Sequence, residues 1–124
     1  MALPTYEELR RYFYYDPEEG DVYQIRPEGG LLLRKPKLLP QKALKNGSPY
    51  ITYRNRQIAT HVFVVRYQTN INASTFRVVH LDGDKRNNAW DNLKLSNAAL
   101  HALGRPLEAF VKPQDINAIY SDEY

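Results

Sequence analysis

Apolar and polar positions alternate along this chain in short, well-separated blocks. Leu9, Tyr12 and Phe13 lie on one helical stripe, so residues 5–13 are expected to form a helix. Thr5 can cap that helix, and Glu8 three residues on completes a capping box. Asp16-Pro17-Glu18-Glu19-Gly20 then stops it as a turn. Asp21 to Arg26 alternates with period two and predicts a strand with Val22 and Ile25 inward. The next segment, 27–48, is rich in Pro, Gly and Lys and reads mainly as loop, with one short strand at Leu31 to Leu33. Tyr50 to Tyr53 and Gln57 to Ala59 read as a hairpin around Arg54-Asn55-Arg56. The block His61 to Gln68 is β-branched enough for a strand. Thr60 before it as a cap, and the Asn-containing stretch after it, make a helix the better reading.

The second half is punctuated more sharply. Phe76 to Leu81 predicts a strand, residues 82–88 a long polar loop, and Leu93 to Leu95 a second strand. Ser96 or Asn97 can cap a helix that runs to about Leu103, and Gly104 ends it. A further short helix is expected near Gln114 to Tyr120. The pattern is that of a single small α+β domain over 1–104, followed by a tail, 105–124.

Length agrees with that division, since 124 residues suffice for one core and not for two. The absence of cysteine excludes a disulfide framework, a thiolate zinc site and a cysteine nucleophile. No apolar run is long enough for a membrane span, and no N-terminal segment has signal-peptide form. A cytoplasmic protein is the expectation.

Charge sharpens the picture further. The formal net charge is only +3, yet residues 29–81 hold nine basic residues and no acidic one. A stretch of that kind suggests a polyanion, most often nucleic acid. Arg34, Lys35, Lys37, Arg54, Arg56, Arg66 and Arg77, with Lys85 and Arg86 just beyond, are the candidate phosphate contacts. The hairpin also interleaves Tyr50 and Tyr53 with arginines, a mixture suited to phosphates and to stacking on bases.

Residues 78–101 read VVHLDGDKRNNAWDNLKLSNAALH. This resembles the HNH endonuclease family in its phage and homing form. His80 matches the first His, Asp82-Gly83-Asp84 and Asn87-Asn88 match the loop, and Asn92-Leu93 matches the middle Asn. His101 falls where the family places its last ligand. Upstream, His61 matches the His of the helix that follows the hairpin, and YDPEEG resembles a segment seen before such domains. The resemblance implies a ββα-metal fold over 76–104, preceded by the hairpin and helix. It implies His80 as general base, Asn92 as the residue that holds the loop and orients that base, and His101 as a metal ligand. The metal would be divalent, usually Mg²⁺, with Mn²⁺ as a substitute, and the substrate double-stranded DNA.

The motif departs from the family at Val79, where an Asp or His commonly ligates the metal. Valine offers no donor atom, so a loop carboxylate, Asp82 or else Asp84, would have to join His101. Two functional expectations follow. One is a metal-dependent endonuclease or nickase with His80 as its base. The other is an HNH-fold protein that no longer cuts, and binds DNA or a protein partner instead. Trp90 is expected in the core, and His61 is expected to pack or cap at the start of its helix.

Overall fold

The computed structural model describes residues 3–40, 42–43, 47–73, 77–95 and 116–121. The expected helix at 96–103, Gly104 and His101 lie outside the described residues. Helix α1 spans Tyr6–Tyr12, and the free N–H of its third residue, Glu8, is taken up by the Thr5 hydroxyl at 3.1 Å. Glu8 turns its carboxylate to the Thr5 hydroxyl and also accepts a 2.7 Å hydrogen bond from the Tyr53 hydroxyl.

The chain leaves α1 one residue earlier than the apolar stripe suggests. Phe13–Tyr15 forms a strand, β1, that pairs antiparallel with β2, Val22–Gln24. The three residues FYY are all aromatic, a composition that favours a pleated, half-buried surface over a helix end. Val22 and Ile25 are buried as expected. The strand expected at Leu31 to Leu33 is not formed: Leu31 is 89% exposed. Gly30 donates to the Pro27 carbonyl in a tight turn, and Leu33 donates to Ile25, so the pairing edge is used differently. The third strand of this sheet falls later, at Lys37–Leu38 (β3), paired with β2.

A second sheet contains β4 (Lys42–Ala43), β5 (Pro49–Tyr53) and β6 (Arg56–Ala59). The β5–β6 hairpin agrees with the pattern, and its register ends on Tyr53 opposite Arg56. Arg54 and Asn55 in the turn both have positive φ, 50° and 64°, as a two-residue turn of the type that matches strand twist requires.

Strand β6 runs directly into α2, Thr60–Thr69. Thr60 is the first helical residue and is fully buried, rather than the cap that its position suggested; no side-chain cap bond forms there. The helix is buried on almost every side, through Val62, Phe63, Val64, Val65, Tyr67, Gln68 and Thr69. This explains why its sequence shows so weak an amphipathic period. Packing, not propensity, holds these β-branched residues helical. Around Phe13 the rings of Phe63 and Tyr53 complete an edge-to-face set, with Phe13–Phe63 at 5.0 Å and Phe13–Tyr53 at 5.6 Å.

The third sheet is the β7 (Val78–His80) and β8 (Leu93–Leu95) pair, with Val78 opposite Leu95, Val79 opposite Lys94 and His80 opposite Leu93. Leu93 and Leu95 point into the core, and the half-buried Trp90 and Val78 bridge its two clusters. The short helix α3, Ile116–Ser121, matches the element expected near Gln114 to Tyr120. No described helix is long and apolar enough to cross a membrane.

Candidate active site

His80 ends β7 and is followed by the 81–92 loop that returns the chain to β8. The loop is tied together by its own short polar side chains. Asp82 accepts from the Asp84 nitrogen (2.8 Å), from the Asn92 side-chain amide (2.9 Å) and from the Asn87 amide (2.8 Å). Asn92, in a single 3₁₀ turn, donates also to the Asn87 carbonyl (2.8 Å) and accepts from the Asp82 nitrogen (2.9 Å). Gly83 takes φ +77° at the turn, a conformation that other residues adopt with strain. Three amide hydrogens aimed at one carboxylate stabilise its charge, so the Asp82 carboxyl is held below the usual range, with Asn87 the largest cause.

His80 itself is oriented by a different residue. Its Nε2 lies 2.9 Å from the side-chain oxygen of Asn88. An amide oxygen can only accept, so Nε2 carries a hydrogen, and in the neutral ring the lone pair is then on Nδ1. Asn88 is 2% exposed and sits beneath the loop. It is the second Asn of the Asn87-Asn88 pair, a signal already in the motif. Asn92 thus closes the loop, while Asn88 makes the direct contact with the imidazole.

His61, at the start of α2, packs edge-on against His80 with ring centroids 5.6 Å apart and planes at 86°. Its Nδ1 is buried without a hydrogen-bond partner. Burial, and secondarily the neighbouring His80, lower its pKa, so His61 stays neutral where an exposed imidazole would begin to charge.

The donor set does not fit a divalent ion at the described residues. Val79, 37% exposed beside His80, carries no donor atom. Both Asp82 oxygens are engaged in bracing the loop. Among the described residues no cluster of three or more His, Asp or Glu could hold a metal ion. His101 lies outside them.

The basic candidates divide into two sets. Arg34, Lys35, Lys37, Arg77, Lys85 and Arg86 are exposed. Arg54 instead pairs with Glu28 (3.1 Å) and Glu8 (3.5 Å). Arg66 donates to the carbonyls of Pro4 (3.3 Å) and Asn70 (2.9 Å), so it fastens the N-terminal segment to α2. Arg56 lines a groove of about 310 Å³ with Leu3, Pro4, Glu8, Tyr53, Arg54 and Ile58, which includes neither His61 nor His80. Charge read along the chain therefore overstates charge available at the hairpin, because carboxylates from outside the basic stretch fold back onto it.

The site is thus two antiparallel strands joined by an Asn-braced loop, with an imidazole at the end of the first. Residues 59–103 match the HNH endonuclease family model. The mixed α+β fold also resembles a solved structure described as DNA binding and cleavage by the HNH homing endonuclease I-HmuI. That likeness has a TM-score of 0.51 and 16% identity, and covers 99% of this chain and 68% of the other. No curated protein matches the chain.

Proposed function

We propose that this protein hydrolyses phosphodiester bonds in double-stranded DNA, as a nickase or endonuclease, with His80 as the general base. The observation that carries the reading is the His80 Nε2–Asn88 bond, which leaves Nδ1 as the proton acceptor on an imidazole fixed at a strand end. Water attacks phosphorus and its proton passes to Nδ1 of His80. The bond from phosphorus to one sugar oxygen breaks, and that oxygen takes a proton from solvent. Asn92 keeps the loop closed around this geometry. HNH endonucleases use a divalent ion; both oxygens of Asp82, its expected carboxylate ligand, brace the loop instead, and the other expected ligand, His101, lies outside the described residues. The exposed Arg34, Lys35, Lys37, Arg77, Lys85 and Arg86 are the candidate phosphate contacts.

A plasmid-relaxation assay with Mg²⁺ or Mn²⁺ tests this directly. Nicked product is expected, lost on chelation, and reduced on the order of 10²- to 10⁴-fold in His80→Ala, the range for loss of a general base. Full cleavage by His80→Ala would remove His80 from the chemistry.

Val79 supports a second reading, a DNA-binding HNH protein that does not cut. It expects salt-dependent DNA binding without cleavage in any divalent ion. In that case Val79→Asp restores a donor beside His80 and is expected to create cleavage. The new carboxylate would face Lys94 across the β7–β8 ladder, so metal binding by the variant should be titrated alongside activity.

A further inference from the structure

The N-terminal turn packs onto the back of the site. The Tyr15 hydroxyl donates to the backbone carbonyl of Asn88, the residue whose side chain holds His80. Tyr15 is 1% exposed. Two residues on, the Pro17 carbonyl accepts from the Trp90 nitrogen at 2.8 Å. Gly20 closes the turn with φ +79°, and a Cβ there would lie 2.5 Å from the Ala89 nitrogen and 2.6 Å from the Asn88 carbonyl carbon. The turn is itself rigid: Asp16 accepts from the Glu18 nitrogen through its side chain and from the Gly20 nitrogen through its carbonyl. Residues 88–90 are thus held from behind by three contacts from a segment some seventy positions earlier in the chain, Tyr15 and Asn88 being 73 apart.

We propose that Tyr15 and the Gly20 turn are positioning elements for His80, acting through Asn88 to fix the ring with Nε2 protonated and Nδ1 open to water. The chain of contacts is continuous: Tyr15 hydroxyl to Asn88 carbonyl, Asn88 side-chain oxygen to His80 Nε2. Asn88 is 2% exposed, so its side chain is packed in place and follows its backbone. If the carbonyl moves, the side-chain oxygen moves with it, and the imidazole loses the acceptor that selects its tautomer. Tyr15 touches no reacting atom; its effect reaches the chemistry only through the ring. This inference rests on the reading of His80 as the base.

The test is Tyr15→Phe, which keeps the ring in the core and removes only the hydroxyl. Nitrogen-15 spectra of the histidine rings read the His80 tautomer without any need for activity. Wild type is expected to show the Nε2–H form, and Tyr15→Phe a mixture of tautomers in a chain that still folds by circular dichroism. In the cleavage assay the same variant is expected to lose on the order of 10- to 100-fold in kcat, with KM for DNA nearly unchanged and the acid limb of the pH–rate profile displaced. If Tyr15→Phe does not fold, Gly20→Ala keeps the hydroxyl but presses a methyl group on the Asn88–Ala89 backbone, and is read the same way. An unaltered His80 tautomer together with an unaltered pH profile overturns the proposal. A protein that never cuts, yet shows the tautomer change, keeps the positioning role and sinks the nuclease reading instead.

Discussion

His61 and His80 are two imidazoles a few ångströms apart in opposite circumstances. His80 stands half-exposed with a hydrogen-bond partner; His61 keeps a buried Nδ1 with none. The lowered pKa of His61 makes folding pH-dependent with a definite sign. The unfolded chain takes up a proton on this residue near its ordinary value of 6.5, while the folded chain resists until a lower pH. Stability is therefore full above that value and is lost as pH falls through it toward the folded-state pKa. Urea melts from pH 7.5 down to 5 are expected to show this decline, and His61→Gln to flatten it. A decline of the same slope in the variant would place the acid sensitivity elsewhere. At the same scale, Tyr15 must remain a donor for its contact with Asn88, and burial, aided by the Asp16 charge, pushes its hydroxyl pKa well above the ordinary tyrosine value. No pH in the working range ionises it.

At the scale of elements, the molecule uses α2 as its central post. Val64, Tyr67 and Phe63 are at most 1% exposed, and α1, β5 and β6 all pack on it. Phe63→Ala is expected to cost about 3–5 kcal/mol, because a buried aromatic leaves a large cavity beside the Phe13 ring. Chemical denaturation of the variant checks this; a loss below about 1 kcal/mol would mean the neighbouring rings collapse into the space. The 81–92 loop is held in another way. It has little apolar content and depends on its own hydrogen bonds, with Asp82 and Asn92 exchanging two of them. Asn92→Ala removes two donors and one acceptor at once, so faster amide exchange over 81–92 is the expected result, with α2 protection unchanged. Uniform loss of protection throughout the chain would show that the loop is part of the global unfolding unit.

At the scale of the whole molecule, the charge pattern is redistributed by folding. Glu8 on α1 and Glu28 in the loop after β2 meet Arg54 at the hairpin tip. These are exposed pairs, of small worth to stability, but they compensate the Arg54 charge at the hairpin tip. Glu28→Gln is expected to tighten DNA binding and to steepen its salt dependence by up to about one phosphate contact. Substituting Arg34, Lys35 and Lys37 together, all exposed, is expected to do the reverse. Binding isotherms at two or three salt concentrations separate the outcomes, and an unchanged slope in both variants would move the DNA surface away from these residues.

Much of this protein was legible in the order of its residues because the relevant contacts are local. The Thr5 cap, the β5–β6 hairpin and the bracing of the polar loop by Asp82, Asn87 and Asn92 each join residues no more than ten positions apart, and the two strands around that loop pair residues at most 17 apart. Side-chain hydrogen bonds to nearby backbone, and period-two alternation, are properties of short sequence windows. The strand at 13–15 was hidden because its aromatic residues also continue a helical stripe. The strand at 37–38 was hidden because only pairing with β2 selects it. Position 79 could be read as lacking a donor from one letter of sequence. Which Asn holds His80, that His61 lies against it, that Tyr15 and Gly20 support the loop, and that Arg54 is neutralised were decided by tertiary structure. Those contacts join segments far apart in the chain, such as Glu8 to Tyr53 across 45 positions and Tyr15 to Asn88 across 73. No local period encodes them; they exist only once the core around α2 has brought the segments together.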